Sequence, residues 1–232
     1  MNYKFINGIR VFAVKSKKNF LDYVCINKHI LVAVNSEKVM VSDNETKDII
    51  NRNFGYPDGI GVVWALKRKG CKDVIKIAGC ELWLDIIKKF YSTKTFYLVG
   101  GRQKVIHKTV VKLRYEFPKV NILNYRNGYL KNRQQIKDLI EDIREKRPDF
   151  VFIAMGSPRQ ELLMEEIQKN HNATYLGLGG SFDVYTGNVK RAPKIWINTN
   201  LEWAYRLIMQ PTRIIRQINY VPFLIKLIFN KL

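Results

Sequence analysis

Residues 149–170, DFVFIAMGSPRQELLMEEIQKN, decide the fold class. Residues 149–155 form an almost unbroken apolar run, as in a strand buried on both faces of a sheet. Gly156, Ser157 and Pro158 break the run, and residues 159–170 continue at helical spacing. The same succession recurs on either side. Strands are predicted at 30–35, 95–99, 121–124 and 174–178, and helices at 36–52, 61–69, 82–91, 103–117 and 133–145. This alternation predicts an α/β chain with an open, mostly parallel sheet covered by helices. Ligands of such sheets bind at the carboxyl ends of the strands, where Gly100-Gly101 and Gly156-Ser157-Pro158 fall.

Composition narrows the class further. The 232 residues are 47% hydrophobic and 26% charged, the profile of a folded chain, and 40 Lys+Arg against 20 Asp+Glu give a net charge of +20. That field attracts polyanions: nucleic acid, anionic lipid or a phosphorylated small molecule. Cys25, Cys71 and Cys80 have no CxxC spacing and read as small apolar core residues. His29, His107 and His171 have no metal-ligand spacing, and no Asp-x-Asp pair follows a predicted strand to grip a metal on a diphosphate. The first twenty residues lack the apolar core of a signal peptide, and no window is long and apolar enough to span a bilayer, so a cytoplasmic location is expected. From Lys190 onward eight basic residues face one acidic residue, Glu202, amid many large apolar side chains. This interleaving suits a segment lying in a membrane interface, the alternative being a helical pair docked on the sheet. Two domains follow: 1–192, and a basic, apolar appendage at 193–232.

Four motifs bear on chemistry. Asn35-Ser36-Glu37 ends a strand and opens a helix, an N-cap pattern. Pro57-Asp58-Gly59 is a turn ahead of a helix; Asp58 either caps that helix or, with room beside the glycines, acts as a general base. The turns at Gly100-Gly101-Arg102 and Gly156–Glu161 favour anions at helix starts, yet neither is a full nucleotide fingerprint. Gly179-Gly180 lets a ligand approach the backbone, and Asp183 either caps a turn or accepts ribose hydroxyls. With no carboxylate grip for a metal, cationic side chains must neutralise the ligand if it is a nucleotide diphosphate. Arg206, Arg213 and Arg216 have helical spacing for that task, interrupted by Pro211.

In order along the chain, NSE (35–37), PDGIGVVWA (57–65), AGCEL (78–82), LVGG (98–101), NGY (127–129), GSPRQE (156–161), GGSFD (179–183), GNVKRAP (187–193), and EWAYR (202–206) with PTRIIR (211–216) resemble the WecG/TagA/CpsF family of bacterial glycosyltransferases. The resemblance runs from about residue 30 to 216; the segment after Arg216 carries no motif of the family. It implies a Rossmann-like domain with a C-terminal appendage that meets the membrane. It also implies inverting, metal-free transfer of a hexose-type sugar, typically N-acetylmannosamine or its uronic acid, from UDP to an undecaprenyl-diphosphate-linked sugar. By the same resemblance Asp58 is the base, with Arg206, Arg213 and Arg216 beside the leaving UDP. Tyr129 is set against uracil, Gln160 and Asp183 on the ribose side, Gly100, Gly101 and Gly180 near the diphosphate, and Asn35 at the acceptor. Two departures, Ala33 in place of a polar residue and Glu81 in place of Asp, bear on which sugar and acceptor are used.

The partners expected are therefore a UDP-sugar, an undecaprenyl-diphosphate-linked acceptor and the anionic inner face of the cell membrane, with a homo-oligomer allowed and no nucleic acid. The rival from charge alone is a nucleic-acid-binding module, which needs its basic residues grouped with aromatics on the sheet. Here the densest basic and apolar segment is the tail instead. A nicotinamide oxidoreductase needs a fuller glycine motif than Val99-Gly100-Gly101.

Overall fold

The computed structural model describes residues 1–209 and 220–232, without the side chain of Arg206. The chain opens with a hairpin, β1 (Tyr3–Ile6) and β2 (Ile9–Phe12), followed by α1 (Lys17–Ile26) and β3 (Ile30–Val34). Then come α2 (Ser36–Val41), α3 (Asn44–Arg52), β4 (Phe54–Pro57), α4 (Ile60–Arg68) and α5 (Gly79–Phe90). The middle runs through β5 (Thr95–Gly100), α6 (Gln103–Glu116), β6 (Asn121–Arg126), α7 (Arg133–Lys146), β7 (Phe150–Ala154), α8 (Arg159–Gln168), β8 (Thr174–Gly177) and α9 (Ser181–Tyr185). Three more described helices close the chain: α10 (Lys194–Asn198), α11 (Glu202–Met209) and α12 (Tyr220–Ile228).

Six strands form one open sheet in the order β4-β3-β8-β7-β5-β6, and the pairings from β3 through β6 are parallel. The α/β class and the parallel sheet stand as read from the sequence. Apolar runs make this possible: all five residues of β7 are buried, and Phe96, Phe150 and Phe152 stack with ring centroids 5.6 and 5.8 Å apart. Each such buried ring stabilises the fold by about 1.5–3 kcal/mol.

Contacts divide the chain into two compact units. One comprises Met1–Lys17, Ala33–Ala78 and Lys190–Leu232; the other comprises Lys18–Val32 and Gly79–Val189. The second, larger unit holds β5 to β8 with α1 and α5 to α9; the first holds the hairpin, β4, α2 to α4 and the C-terminal helices.

Three local expectations change. The single helix predicted at 36–52 breaks at Ser42, because Asp43 caps a new helix by accepting from Thr46 N at 2.8 Å. The short strands β1, β2 and β4 and the helix α1 add to the prediction. Of the cysteines read as core residues, only Cys71 is buried; Cys25 and Cys80 are half-buried, and all three are free thiols.

Candidate active site

In the larger unit the ends of β5, β6, β7 and β8 lie side by side in parallel register, Gly100 opposite Ala154 and Ile153 opposite Gly177. The loops leaving them therefore share one edge. Two kinds of glycine shape it. A methyl group on Gly100 would fall 2.3 Å from the Ala154 carbonyl oxygen, and one on Gly128 would fall 3.1 Å from Gly100 Cα. Gly101 N donates to Ala154 O at 3.1 Å, and Gly128 N donates to Gly101 O at 3.0 Å. Gly100, Gly101 and Gly128 thus bring three loops into backbone contact. By contrast, nothing lies within 4 Å of where a methyl would stand on Gly156, Gly179 or Gly180. These three leave the edge open at β7 and β8, and an incoming group can reach the backbone there.

Gln160 holds that open part in shape. Its Oε1 accepts from Gly156 N at 3.1 Å and Gly179 N at 2.9 Å, while Nε2 donates to Glu161 Oε1 at 3.1 Å. Gln160 and Glu161 are both buried, and a methyl on Gly177 would meet Gln160 Nε2 at 2.5 Å. The amide oxygen, one of its N–H groups and its packing face are therefore engaged by the chain itself. The resemblance makes Gln160 a nucleotide contact; here its side chain bridges the loops that carry Gly156 and Gly179.

Tyr129 stands on the loop after β6 with 59% of its surface exposed. Its backbone N–H donates to Asn127 Oδ1 at 2.9 Å, and Asn127 Nδ2 donates to Gln103 Oε1 at 2.8 Å, so the turn is tied to the start of α6 while the ring stays exposed. Asp183 lies half-buried in the first turn of α9, whose cap position is Gly180 rather than Asp183. That short helix is pinned to α6: Lys112 Nζ donates to Tyr185 O at 2.9 Å and lies 4.3 Å above the Tyr185 ring, and Tyr185 OH donates to Glu116 at 2.7 Å. Burial, and then the Glu116 carboxylate, push the Tyr185 phenol well above its usual range, so it remains a donor.

In the smaller unit, Asp58 follows β4 directly. Its N–H donates to Val34 O at 2.9 Å, and the preceding Pro57 O accepts from Ile77 N at 2.9 Å, so the backbone is fixed on both sides. Asp58 is half-buried. The cap of α4 is Gly59, one residue later than the capping reading of Asp58 places it. The reason is conformational: Gly59 has φ +106°, which lets β4 swing into α4 and which an aspartate would resist. Asn35 does cap α2, its side chain accepting from Lys38 N at 2.8 Å, and its Cβ lies 3.8 Å from where a Gly59 methyl would be. The sequence reading missed what backs this turn. A methyl on Gly61 would meet Ser36 Oγ at 2.4 Å and the Phe223 ring at 3.0 Å, so α2 and α12 both press on the first turn of α4. The signal available was the second glycine of the PDGIG motif.

Arg206 lies on α11, without a described side chain, and Arg213 and Arg216 fall outside the described residues. Among the described residues no group of three or more His, Cys, Asp or Glu side chains could hold a metal ion. Among them, too, no helix is long and apolar enough to cross a membrane. Exposed apolar side chains nevertheless gather on the last helices, including Ile195, Trp203, Ile208 and Leu224.

A family model, that of the glycosyl transferase WecG/TagA/CpsF family, matches residues 5–232. The match extends the resemblance seen in the motifs at both ends, taking in most of the β1–β2 hairpin and the segment after Arg216, which carried no recognisable motif. With nearly the whole chain covered, and the strand-end edge and the Pro-Asp-Gly turn formed as described, the chain belongs to the WecG/TagA/CpsF family of glycosyltransferases, which act in cell-surface polysaccharide assembly with a nucleotide-sugar donor and a lipid-linked acceptor.

Proposed function

We propose that this glycosyltransferase is an inverting, metal-independent enzyme that moves a hexose-type sugar from UDP to an undecaprenyl-diphosphate-linked sugar, with N-acetylmannosamine or a relative as the donor sugar. The observation that carries the reading is the open strand-end edge of a family member: bare glycines at 156, 179 and 180, flanked by an exposed Tyr129 and the Asp183 carboxylate. Tyr129 stacks on uracil, Asp183 accepts from a ribose hydroxyl, and the diphosphate lies near the glycine turns, including Gly100-Gly101. Gln160 acts by holding the loops of Gly156 and Gly179 at a fixed spacing.

The reaction is one displacement. The acceptor hydroxyl oxygen bonds to the anomeric carbon as the bond from that carbon to the UDP oxygen breaks, and the configuration inverts. Asp58, on a turn whose backbone is bonded to Val34 O on one side and Ile77 N on the other, takes the hydroxyl proton. UDP departs with the negative charge. Arg206, Arg213 and Arg216 are assigned to neutralise it, on the strength of their spacing in the sequence. Asn35, beside the Gly59 turn, is assigned to the acceptor. The appendage at 193–232, with its exposed apolar residues and basic side chains, rests on the anionic inner face of the membrane where the lipid acceptor resides.

A thermal-shift titration tests the donor half. UDP raises the melting temperature by binding the native state, and NAD leaves it unchanged. A chain that responds to NAD and not to UDP, and transfers no sugar from any of a panel of UDP-sugars, overturns the proposal.

A further inference from the structure

α4, the helix that begins immediately after the Asp58-Gly59 turn, presents an outer face that the chemistry described above does not use. Gly61, Trp64 and Arg68 follow one another at helical spacing (i, i+3, i+7) and share a side of the helix. α12, which packs on α2, touches α4 at two points. Its Phe223 ring sits against Gly61 at one end, and at the other Arg68 Nη2 donates to Ile228 O at 2.9 Å. Phe223 and Leu227 are buried, with α2 as well as α4 beneath the helix, whereas Leu224, Ile228 and Phe229 stay 41%, 63% and 67% exposed. Beside them Trp64 is 49% exposed, and Lys67 and Arg68 are exposed as well.

An ordinary solvated helix face does not have this composition. α7 is such an ordinary face: its outer residues alternate in sign and pair internally, Arg144 with Glu141 and Lys146 with Asp142. Residues 59–72 and 220–232 contain no Asp or Glu at all, so the α4–α12 face combines uncompensated positive charge with a tryptophan and aliphatic side chains. Tryptophan at the edge of an apolar strip, flanked by Lys and Arg, suits the boundary between acyl chains and headgroups. A protein partner of matching shape would have to be acidic and apolar at once; an anionic bilayer has both properties over any area.

We propose that Trp64, Lys67 and Arg68 of α4, together with Leu224, Ile228 and Phe229, dock on an anionic lipid bilayer. The membrane face then includes a helix of the catalytic half of the sequence as well as the appendage; the inference rests on the proposed function only for the bilayer as the occupant. Asp58 precedes α4 by two residues, and Trp64 lies roughly 10 Å further along the chain at a helical rise of about 1.5 Å per residue. Seating Trp64 among the headgroups therefore fixes the depth at which the Asp58 turn meets a lipid-linked sugar.

The test is flotation of the full chain with vesicles of phosphatidylcholine alone and of phosphatidylcholine mixed with phosphatidylglycerol. Trp64→Gln combined with Lys67→Glu removes the anchor and reverses one charge at exposed positions, and its melting temperature should match that of the parent. The expected result is a fall of about tenfold or more in partition onto the anionic vesicles, with unchanged transfer to a detergent-solubilised acceptor. Ile208→Asp, on α11, serves as the appendage arm. If it releases the protein while the α4 double variant partitions as the parent does, the α4 face is refuted and the appendage contact stands. If the parent itself fails to float with anionic vesicles, both are refuted.

Discussion

Gln160→Leu removes the bracket from the strand-end edge with little change in volume. The side chain keeps its apolar contact over Gly177 but can accept nothing, so the Gly156 and Gly179 N–H groups, now 3.1 and 2.9 Å from Oε1, lose their partner. An unpaired buried donor costs about 1–3 kcal/mol. Both glycines are only half-buried, so water recovers part of the loss, and the net destabilisation comes to about 2–3 kcal/mol. For a chain of this size that corresponds to a melting temperature lower by roughly 4–12 °C. Because the two loops carry the open glycines, UDP affinity should fall as well, by about tenfold. Gln160→Glu provides the contrast. It keeps both loop bonds but sets a carboxylate where Nε2 now donates to the buried Glu161. Like charges favour protonation, so its deficit relative to the parent should shrink as the pH is lowered. Thermal melts and calorimetric UDP titrations of the two variants decide the matter. A Gln160→Leu protein that melts within about 1 °C of the parent and binds UDP unchanged would refute the bracket.

Tyr129→Ala should weaken UDP binding by about five- to a hundredfold, the equivalent of 1–3 kcal/mol of stacking, and leave the melting temperature alone because the ring is 59% exposed; a titration reads it directly. Asp149, at the opposite end of β7 from the open edge, tests pH dependence. Burial works against its ionisation, but the Thr95 N–H, the Lys94 ammonium and the Thr95 hydroxyl outweigh it and hold the carboxyl below its usual range. Its stabilisation is therefore complete above about pH 4, the unfolded value, and is lost as the pH falls through the lower folded value. Asp149→Asn should cost about 1–2 kcal/mol at neutral pH, with the difference closing in strong acid, as denaturant titrations across pH will measure.

Much of this was legible in the sequence, for a physical reason. The strands at 30–34, 95–100 and 150–154 are apolar runs buried on both faces, and those at 121–126 and 174–177 are shorter apolar stretches bounded by turn residues. β4 escaped because Phe54-Gly55-Tyr56-Pro57 carries two residues that ordinarily end strands, and β1 because three of its four residues are exposed. The break at Ser42 was hidden because the capping Asp43 sits inside an otherwise helical pattern. At the site, glycine positions could be read but not their purpose: Gly100 and Gly180 look alike in sequence, yet one packs against the Ala154 carbonyl and the other faces open space. Gln160 had no local signal, since its partners arrive from two different loops. The same holds for Phe223, whose meeting with Gly61 depends on chain returning from far along the sequence.

The proposed transfer depends on the carboxylate at the Pro57-Asp58-Gly59 turn, and single-turnover transfer by Asp58→Asn tests that dependence most directly. With a UDP-sugar donor and a lipid-diphosphate acceptor, the variant should melt and bind UDP as the parent does while its transfer rate falls by about a hundred- to ten-thousandfold. Transfer at close to the parental rate would show that another group takes the proton.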